Sequence, residues 1–373
     1  MKAVKYILTA GFAACIFACG YVRTEAADLP EVLWGHSSVN AMKNRPETLA
    51  DREVLVQISR EVNDRLHLLA AQGKLPFALK ENDDTFFEED LSDNGMVTLI
   101  PLVMDDNCFL SEYTVNGVTF YKAIVMTQID IAFCYYSGSG DSLRILHVVP
   151  LLGYSVMGSQ GEYTAPIGKA ELRQQFMDNA ALLIRQDLIF TNKRFLKDLD
   201  VKMLTPDTWQ VTGVNVSSEA ARKFYRERLP LAKALVASAF TSRYAALHDD
   251  KTVLPSLESG DWQEDAAKQT YMLSLGDTGK YIVMNRAGNE IVLDLSKVAA
   301  FDVPLKHDTG IYKKKGYTAE ICNLKEGNKG SAVVQRTVPA DTNPNQVRHD
   351  LEGVLAELLT DAARNAAEVG KKK

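Results

Sequence analysis

The chain has 373 residues, of which 46% are hydrophobic and 24% charged, so it is long enough for two globular domains with sizeable cores. Its formal net charge of -6 argues against nucleic-acid binding, because that binding neutralises phosphates with clustered Lys and Arg. Beyond the amino terminus, no segment approaches the roughly 20 apolar residues of a transmembrane helix.

Residues 1–26 have the pattern of an export signal. Lys2 and Lys5 precede fourteen uncharged residues that end at Cys19. A basic start followed by a short apolar stretch is typical of a secretory signal, and the stretch is too short to span a bilayer. We therefore expect an exported protein, either periplasmic or anchored in the outer membrane as a lipoprotein.

Two processing sites compete within this segment. Residues 16–19, Ile-Phe-Ala-Cys, resemble a lipobox with an atypical Phe, which predicts removal of residues 1–18 and a lipid on Cys19. Residues 24–26, Thr-Glu-Ala, suit ordinary signal peptidase, which predicts removal of residues 1–26 and a free protein. The first route deletes Lys2 and Lys5 and changes the formal net charge from -6 to -8. The sequence predicts contact with a membrane only through a lipid on Cys19.

The first predicted helix follows a short strand at residues 31–34. Its apolar stripe has helical spacing and ends before Gly73, which suits a helix carboxyl terminus. The stripe consists of Ile58, Val62, Leu66 and Leu69.

An acidic segment, residues 81–94, comes next and contains seven carboxylates. Residue 90 begins a pattern like that of a calcium-binding loop, but Pro101 stands where the twelfth position requires an acidic ligand. We expect a solvated loop and no metal site.

A block of strands is predicted after the acidic segment, because runs rich in Val, Ile, Thr, Phe and Tyr are separated by turn residues. Residues 137–141, Ser-Gly-Ser-Gly-Asp, predict the turn of one hairpin. The predicted strands are residues 96–104, 118–136 and 143–156.

Three cysteines lie beyond the signal segment, namely Cys108, Cys134 and Cys322. Because their number is odd and their surroundings are apolar, we expect buried free thiols, with a disulfide between Cys108 and Cys134 as the alternative.

The second half of the chain repeats the pattern of the first. Trp34, Val39 and Asn40 match Trp209, Val214 and Asn215 at a constant offset of 175. A second helical stripe, Val236, Phe240, Tyr244 and Leu247, matches the first. Strands are again predicted after it, at residues 281–284, 290–306, 317–324 and 331–338.

Each half closes with a predicted amphipathic helix, and the two apolar stripes again match at an offset of 175. Asn343 and Pro344 suit the start of the second of these helices. The stripes are Leu172, Phe176, Leu183 and Ile184, and Val347, Leu351, Leu358 and Leu359.

The order of elements predicts the α+β class. We expect two similar domains, residues 30–190 and 205–368, joined by residues 187–208. Each should have a mostly antiparallel sheet with helices packed on one face, since consecutive strands joined by hairpins pair in that way.

This order of elements resembles one fold of the bacterial envelope. A helix that passes through Gly73 and residues 75–79 into a hairpin-rich sheet is similar to the amino-terminal domain of TolB. It is also similar to domains of the curli-secretion lipoprotein CsgG and of lipoprotein activators of penicillin-binding proteins. The resemblance implies scaffold or adaptor domains that bind other proteins and catalyse nothing. The strand at residues 31–34 is shorter than in that family and the acidic segment is extra, so no functional residue is carried over.

No residue pattern points to catalysis, a cofactor or a metal. Residues 153–158 differ by one position from a nucleophile elbow and suit a strand end. The six histidines show no ligand spacing, and no glycine-rich phosphate loop occurs.

The sequence therefore favours a non-enzymatic scaffold or adaptor that binds other envelope proteins, with Cys19 as its single site residue. A small-molecule-binding or hydrolytic protein that uses a cleft between the two units is the alternative. A subunit of a homo-oligomeric envelope assembly is the third hypothesis.

Overall fold

The computed structural model describes thirteen stretches of the chain: residues 29–42, 48–81, 96–115, 117–136, 142–158, 161–190, 207–226, 229–248, 250–274, 281–305, 310, 312–339 and 344–368. The predicted export signal with Cys19, the acidic residues 82–94, the predicted turn at 137–141 and residues 191–206 of the predicted connection lie outside the described residues.

The described residues form five helices and fifteen strands, in a mixed α and β structure. The elements of the first half are β1 (Glu31–Trp34), β2 (Val39–Asn40), α1 (Arg52–Ala71), β3 (Ala78–Glu81), β4 (Met96–Asp105), β5 (Cys108–Val115), β6 (Val118–Tyr136), β7 (Ser142–Met157) and α2 (Lys169–Asp187). The elements of the second half are β8 (Thr208–Asn215), α3 (Glu219–Tyr225), α4 (Leu229–Leu247), β9 (Thr252–Val253), β10 (Gln263–Asp265), β11 (Thr270–Ser274), β12 (Tyr281–Asn285), β13 (Asn289–Val303), β14 (Tyr312–Asn323), β15 (Asn328–Pro339) and α5 (Pro344–Glu368).

Two sheets organise these elements. The first, sheet A, has ten strands in the order β10-β11-β12-β7-β6-β4-β1-β3, with β2 beside β4 and β5 beside β6. The second, sheet B, has the order β15-β14-β13-β8-β9. Both sheets mix parallel and antiparallel pairs. The runs β4-β6-β7 and β13-β14-β15 are antiparallel, as predicted for consecutive strands.

The two sheets share one pairing scheme. In sheet A, β1 is parallel to both β3 and β4, and β4, β6 and β7 are successively antiparallel. In sheet B, β8 is parallel to both β9 and β13, and β13, β14 and β15 are successively antiparallel. Trp34 lies on β1 and Trp209 on β8, which occupy the same place in the two schemes.

Helices and sheets alternate in layers. Helices α1 and α2 pack on one face of sheet A around buried residues such as Ile58 and Phe176. Helices α4 and α5 pack on sheet B, and their core also includes Ile124, Met126 and Leu152 of sheet A. The α4/α5 layer therefore lies between the two sheets, so helices cover one face of sheet B and both faces of sheet A. The prediction of helices on one face is wrong for sheet A, because its second apolar face is covered by the other half of the chain.

Strand β12 joins the sheet of the first half. It pairs with β7 in parallel, with Tyr281 opposite Ser142. Its side chains Ile282 and Met284 are buried in a third core cluster with Ala132 of sheet A. The expectation that residues 281–284 belong to the second sheet is therefore wrong, because their apolar side chains are buried against sheet A.

Helix α1 shows how local sequence sets the element. The Asp51 carboxylate accepts hydrogen bonds from the amides of Glu53 and Val54 at 3.1 and 3.2 Å, which satisfies two otherwise free donors at the helix start. The predicted stripe from Ile58 to Leu69 is buried. The helix ends at Ala71, and Gly73 has a φ of 63°, a left-handed conformation that glycine adopts without a steric cost.

Candidate functional site

A cleft of about 830 Å³ lies where the two halves of the chain meet. The first half contributes β7 and the end of α2, and the second half contributes α4, α5 and β15. Its volume falls within the roughly 300–1,000 Å³ of ligand-binding clefts. It is the candidate functional site among the described residues because apolar and charged side chains from both halves meet in it.

The floor of the cleft is apolar and belongs to β7. Val148, Leu151 and Leu152 are buried. The Pro150 carbonyl accepts a hydrogen bond from Ser242 Oγ of α4 at 3.4 Å, which ties the floor to the second half of the chain. Strand β12 pairs with β7 only at residues 142–144, so Pro150 has a paired strand, β6, on one side.

The α2 wall of the cleft is held by aromatic packing. Phe190 packs edge-on against Phe77 and Phe133, with ring centroids 5.3 and 5.7 Å apart. Arg65 of α1 donates to the Leu188 carbonyl at 3.2 Å. These contacts fix both neighbours of Ile189, whose side chain is nevertheless 53% exposed in the cleft.

The β15 wall also carries an exposed aliphatic side chain. Val333 is 57% exposed, whereas the next residue, Val334, faces the core of sheet B. This alternation is that of a strand with one buried face. Ile189 and Val333 thus leave apolar surface uncovered on two walls of one cleft.

Helix α5 lines the cleft with charge. Asp361, Arg364 and Glu368 line the cleft, and Glu357 precedes Asp361 by one turn. The four residues recur at spacings of four, three and four, so they lie along one face of the helix. Arg243 of α4 donates to Glu368 with an Nε–Oε1 distance of 2.8 Å, and Arg336 of β15 pairs with Glu357. The outer two residues of the stripe are therefore held by arginines from neighbouring elements.

His147 lines the cleft but is unsuited to acid–base chemistry near neutral pH. Its imidazole is buried, and its Nδ1 accepts a hydrogen bond from the Val253 amide at 3.2 Å. Burial lowers the pKa of His147 to about 3, because the charged form loses its hydration. The ring is neutral under physiological conditions and acts as an acceptor that joins β7 to β9.

Lys251 lies at the cleft between aromatic rings. Its Nζ is 3.9 Å from the centroid of the Trp209 ring, 4.9 Å from that of Tyr244 and 2.6 Å from the Tyr244 hydroxyl. Burial lowers the pKa of Lys251, although nearby carboxylates oppose this shift. Because the faces of aromatic rings attract cations, these contacts hold the Lys251 ammonium beside Trp209, near the start of β8.

Residues singled out in the sequence lie away from the cleft or serve the fold. Ser155 of the near-elbow pattern lies near the end of β7, as predicted, and accepts a hydrogen bond from Asn179 of α2 at 3.0 Å. None of Cys108, Cys134 and Cys322 forms a disulfide within the described residues, and of the three only Cys134 is fully buried. Burial raises the pKa of Cys134 to about 12. The structure does not pair Cys108 with Cys134.

Two histidines meet near the acidic segment. His36 and His67 each place Nε2 against a different oxygen of Glu81, at 2.6 and 3.1 Å. Across the described stretches, no group of three or more His, Cys, Asp and Glu side chains is arranged to hold a metal ion. The three residues form a hydrogen-bonded chain that ties β3 to α1.

Sequence reasoning did not single out Ile189, Val333 or Arg364. An isolated apolar or basic residue carries no signal until the fold places it in a cleft. Comparison with protein-family models and with curated proteins gives no match for the chain. None of the helices in the described part of the chain is long and apolar enough to cross a membrane.

Proposed function

We propose that this chain is an exported, non-enzymatic envelope protein that acts as an adaptor by binding a segment of a partner protein in the cleft. The observation that carries the proposal is the pair of exposed aliphatic side chains, Ile189 and Val333, on two walls of one cleft. Fully burying an exposed aliphatic side chain contributes roughly 1.5 to 3 kcal/mol, so covering the exposed half of each of these side chains contributes about 1 kcal/mol. The charged residues that line the cleft can form hydrogen bonds with the backbone and the polar side chains of a bound polypeptide.

The chemistry of the cleft favours binding over catalysis. Its histidine is neutral and already accepts a hydrogen bond, and Arg243 is paired with Glu368. Lys251 is engaged with Trp209 and Tyr244. The side chains that line the cleft thus offer contact surface and charge, which is what an adaptor requires.

We also propose that the chain is an internal duplication of one α+β unit, at residues 30–190 and 205–368. The shared pairing scheme of the two sheets supports it, as does the equivalent position of Trp34 and Trp209. Strands β10 to β12 would be an insertion in the second unit that extends the sheet of the first. A duplicated adaptor places its binding cleft where the two copies meet.

Export completes the proposal. The basic and apolar pattern of residues 1–26 supports delivery to the envelope, and Cys19 would carry the lipid if processing occurs before it. Envelope proteins are then the partners within reach of the cleft.

Site-specific photo-crosslinking tests the binding role. A photoreactive residue at position 189 is compared with one at position 182, because Leu182 is also 53% exposed and lies on α2 outside the cleft. The proposal predicts one partner segment, identified by mass spectrometry, that crosslinks from position 189 and not from position 182. Identical products from both positions, or none from position 189, would contradict it. A crosslink to a second copy of the chain would instead support the homo-oligomeric hypothesis.

The cleft volume also favours a second candidate, a small-molecule-binding protein. Native mass spectrometry of protein purified from the envelope tests it. An added mass of a few hundred daltons that disappears in a Val333→Asp variant would support this candidate over the adaptor.

A further inference from the structure

The middle of the α5 stripe carries two charges, those of Asp361 and Arg364. Glu357 and Glu368, at the ends of the stripe, are paired with Arg336 and Arg243. Asp361 and Arg364 line the cleft between them, and no ion pair within 4.0 Å joins either to another residue of the described stretches.

Arg364 is suited to a carboxylate ligand. Its side chain is half-buried, which restricts it more than a fully exposed arginine. A guanidinium presents a planar fork of donors that matches both oxygens of a carboxylate, and such charge-assisted hydrogen bonds are stronger than neutral ones.

The α2 wall offers the opposite charge. Asp187, the last residue of α2, is exposed, lines the cleft and lies two residues before Ile189. It too has no ion pair within 4.0 Å among the described residues. The α5 wall therefore presents Arg364 beside Asp361, and the α2 wall presents the carboxylate of Asp187. Uncovered apolar surface lies on Ile189 and Val333.

This distribution discriminates between classes of ligand. The charges that line the cleft are balanced: the carboxylates are Asp187, Asp361 and Glu368, and the cations are Arg243, Lys251 and Arg364. A nucleic acid or another polyanion therefore meets no net positive charge in the cleft. A polypeptide segment can present both signs of charge and an aliphatic side chain within a few residues.

Resting on the proposed function, we propose that the bound partner segment pairs a carboxylate with Arg364 and a cationic side chain with Asp187. An aliphatic side chain between them contacts Ile189 and Val333. The segment is thus recognised as a polypeptide of mixed charge.

The probe is a fluorescein-labelled peptide, Ser-Lys-Thr-Val-Leu-Val-Thr-Glu-Ser, whose binding to the full mature chain is followed by fluorescence polarisation. Replacing its Glu by Gln should weaken binding about three- to five-fold in the wild type and have no effect in an Arg364→Gln variant. Replacing the Lys of the peptide by Gln should also weaken binding about three- to five-fold in the wild type and have no effect on binding to an Asp187→Asn variant. An Arg222→Gln variant is the matched control, because Arg222 is exposed on α3 and lies outside the cleft.

The outcomes separate this inference from the proposed function. Coupling of the peptide Glu to Arg364 and of its Lys to Asp187, with Arg222→Gln behaving like the wild type, supports the inference. If the peptide binds saturably but its affinity is the same with Glu or Lys replaced by Gln, the inference is overturned and the cleft is still a binding site. Absence of saturable binding, while position 189 still crosslinks a partner segment, overturns the inference alone. Absence of both overturns the proposed function as well.

Discussion

Ser238 of α4 donates a hydrogen bond to the carboxamide oxygen of Gln128 on β6, and this contact joins two layers of the structure in a buried position. Gln128 Nε2 in turn donates to Asp130 Oδ1 at 3.3 Å. Asp130 is fully buried, and its Oδ2 has no hydrogen-bond partner among the described residues. Burial raises the pKa of Asp130 to about 7, and the hydrogen bond from Gln128 only partly opposes that shift.

Asp130 makes folding less favourable as the pH rises from 4 to 7. Because its folded-state pKa is raised from 3.8 to about 7, the folded state binds the proton more tightly than the unfolded state between these values. Its contribution to stability is present below pH 4 and is lost as the pH rises to 7, at about 1.4 kcal/mol per pH unit. Replacing Asp130 by Asn should therefore raise the free energy of unfolding at pH 8 by about 2 to 4 kcal/mol. Urea denaturation at pH 4.5 and 8 measures this, and equal stability of wild type and variant at pH 8 would refute it.

His147 has the opposite effect on the acid side. Its folded-state pKa, lowered from 6.5 to about 3, means that the unfolded state binds the proton more tightly. Its contribution is present above pH 6.5 and is lost as the pH falls, by about 3 kcal/mol at pH 4. Because Asp130 titrates over the same pH range, both proteins compared carry Asp130→Asn. With His147 in place, the free energy of unfolding should fall between pH 6.5 and 4, whereas with His147→Asn it should change much less over this range. An unchanged slope in the double variant would show that other groups set the acid response.

Gly330 permits the close contact between β15 and α5 that shapes the cleft. A Cβ at this position would lie 2.0 Å from the Ala366 amide nitrogen and 2.3 Å from the Ala362 carbonyl oxygen. Gly330→Ala should therefore destabilise the fold by about 3 kcal/mol. Gly213→Ala on β8 is the control, since its nearest neighbour would be 3.9 Å away. Thermal unfolding compares the two, and similar melting temperatures would contradict the packing described here.

Export predicts a shortened mature protein. Intact mass spectrometry of membrane and soluble fractions from expressing cells should find a chain that begins at Cys19 with acyl groups, or one that begins at Ala27 without lipid. Acylation would direct the search for partners to membrane-associated proteins. A full-length mass with Met1 in place in every fraction would contradict export.

The elements with a strong local pattern could be predicted from the sequence. The α1 stripe and the long β6 run follow directly from hydrophobic spacing, and the predicted bounds of β6 match the observed ones. Strand β5 was not predicted, since its exposed Glu112 interrupts the apolar pattern. Strand β12 was assigned to the wrong sheet, because its partner β7 is chosen by tertiary packing.

A cleft between the two units is part of the alternative hypothesis from the sequence, but its lining residues could not be predicted, because its walls come from segments far apart in the sequence. Ile189 and Val333 look like ordinary strand or helix residues until the α4/α5 layer is placed against sheet A. Arg364 has the same spacing as many solvent-exposed helix residues. The structure shows that the nearby carboxylates Glu357 and Glu368 are paired with other arginines, and that Arg364 makes no ion pair within the described residues.

The adaptor role is tested most directly by measuring the crosslinked product from position 189 in two further variants. Val333→Asp alters the cleft, whereas Leu324→Asp alters a side chain that is similarly exposed, at 50%, and lies outside the cleft. Binding in the cleft predicts that Val333→Asp removes the product and Leu324→Asp retains it. Loss in both variants, or retention in both, would contradict the cleft as the site where a partner binds.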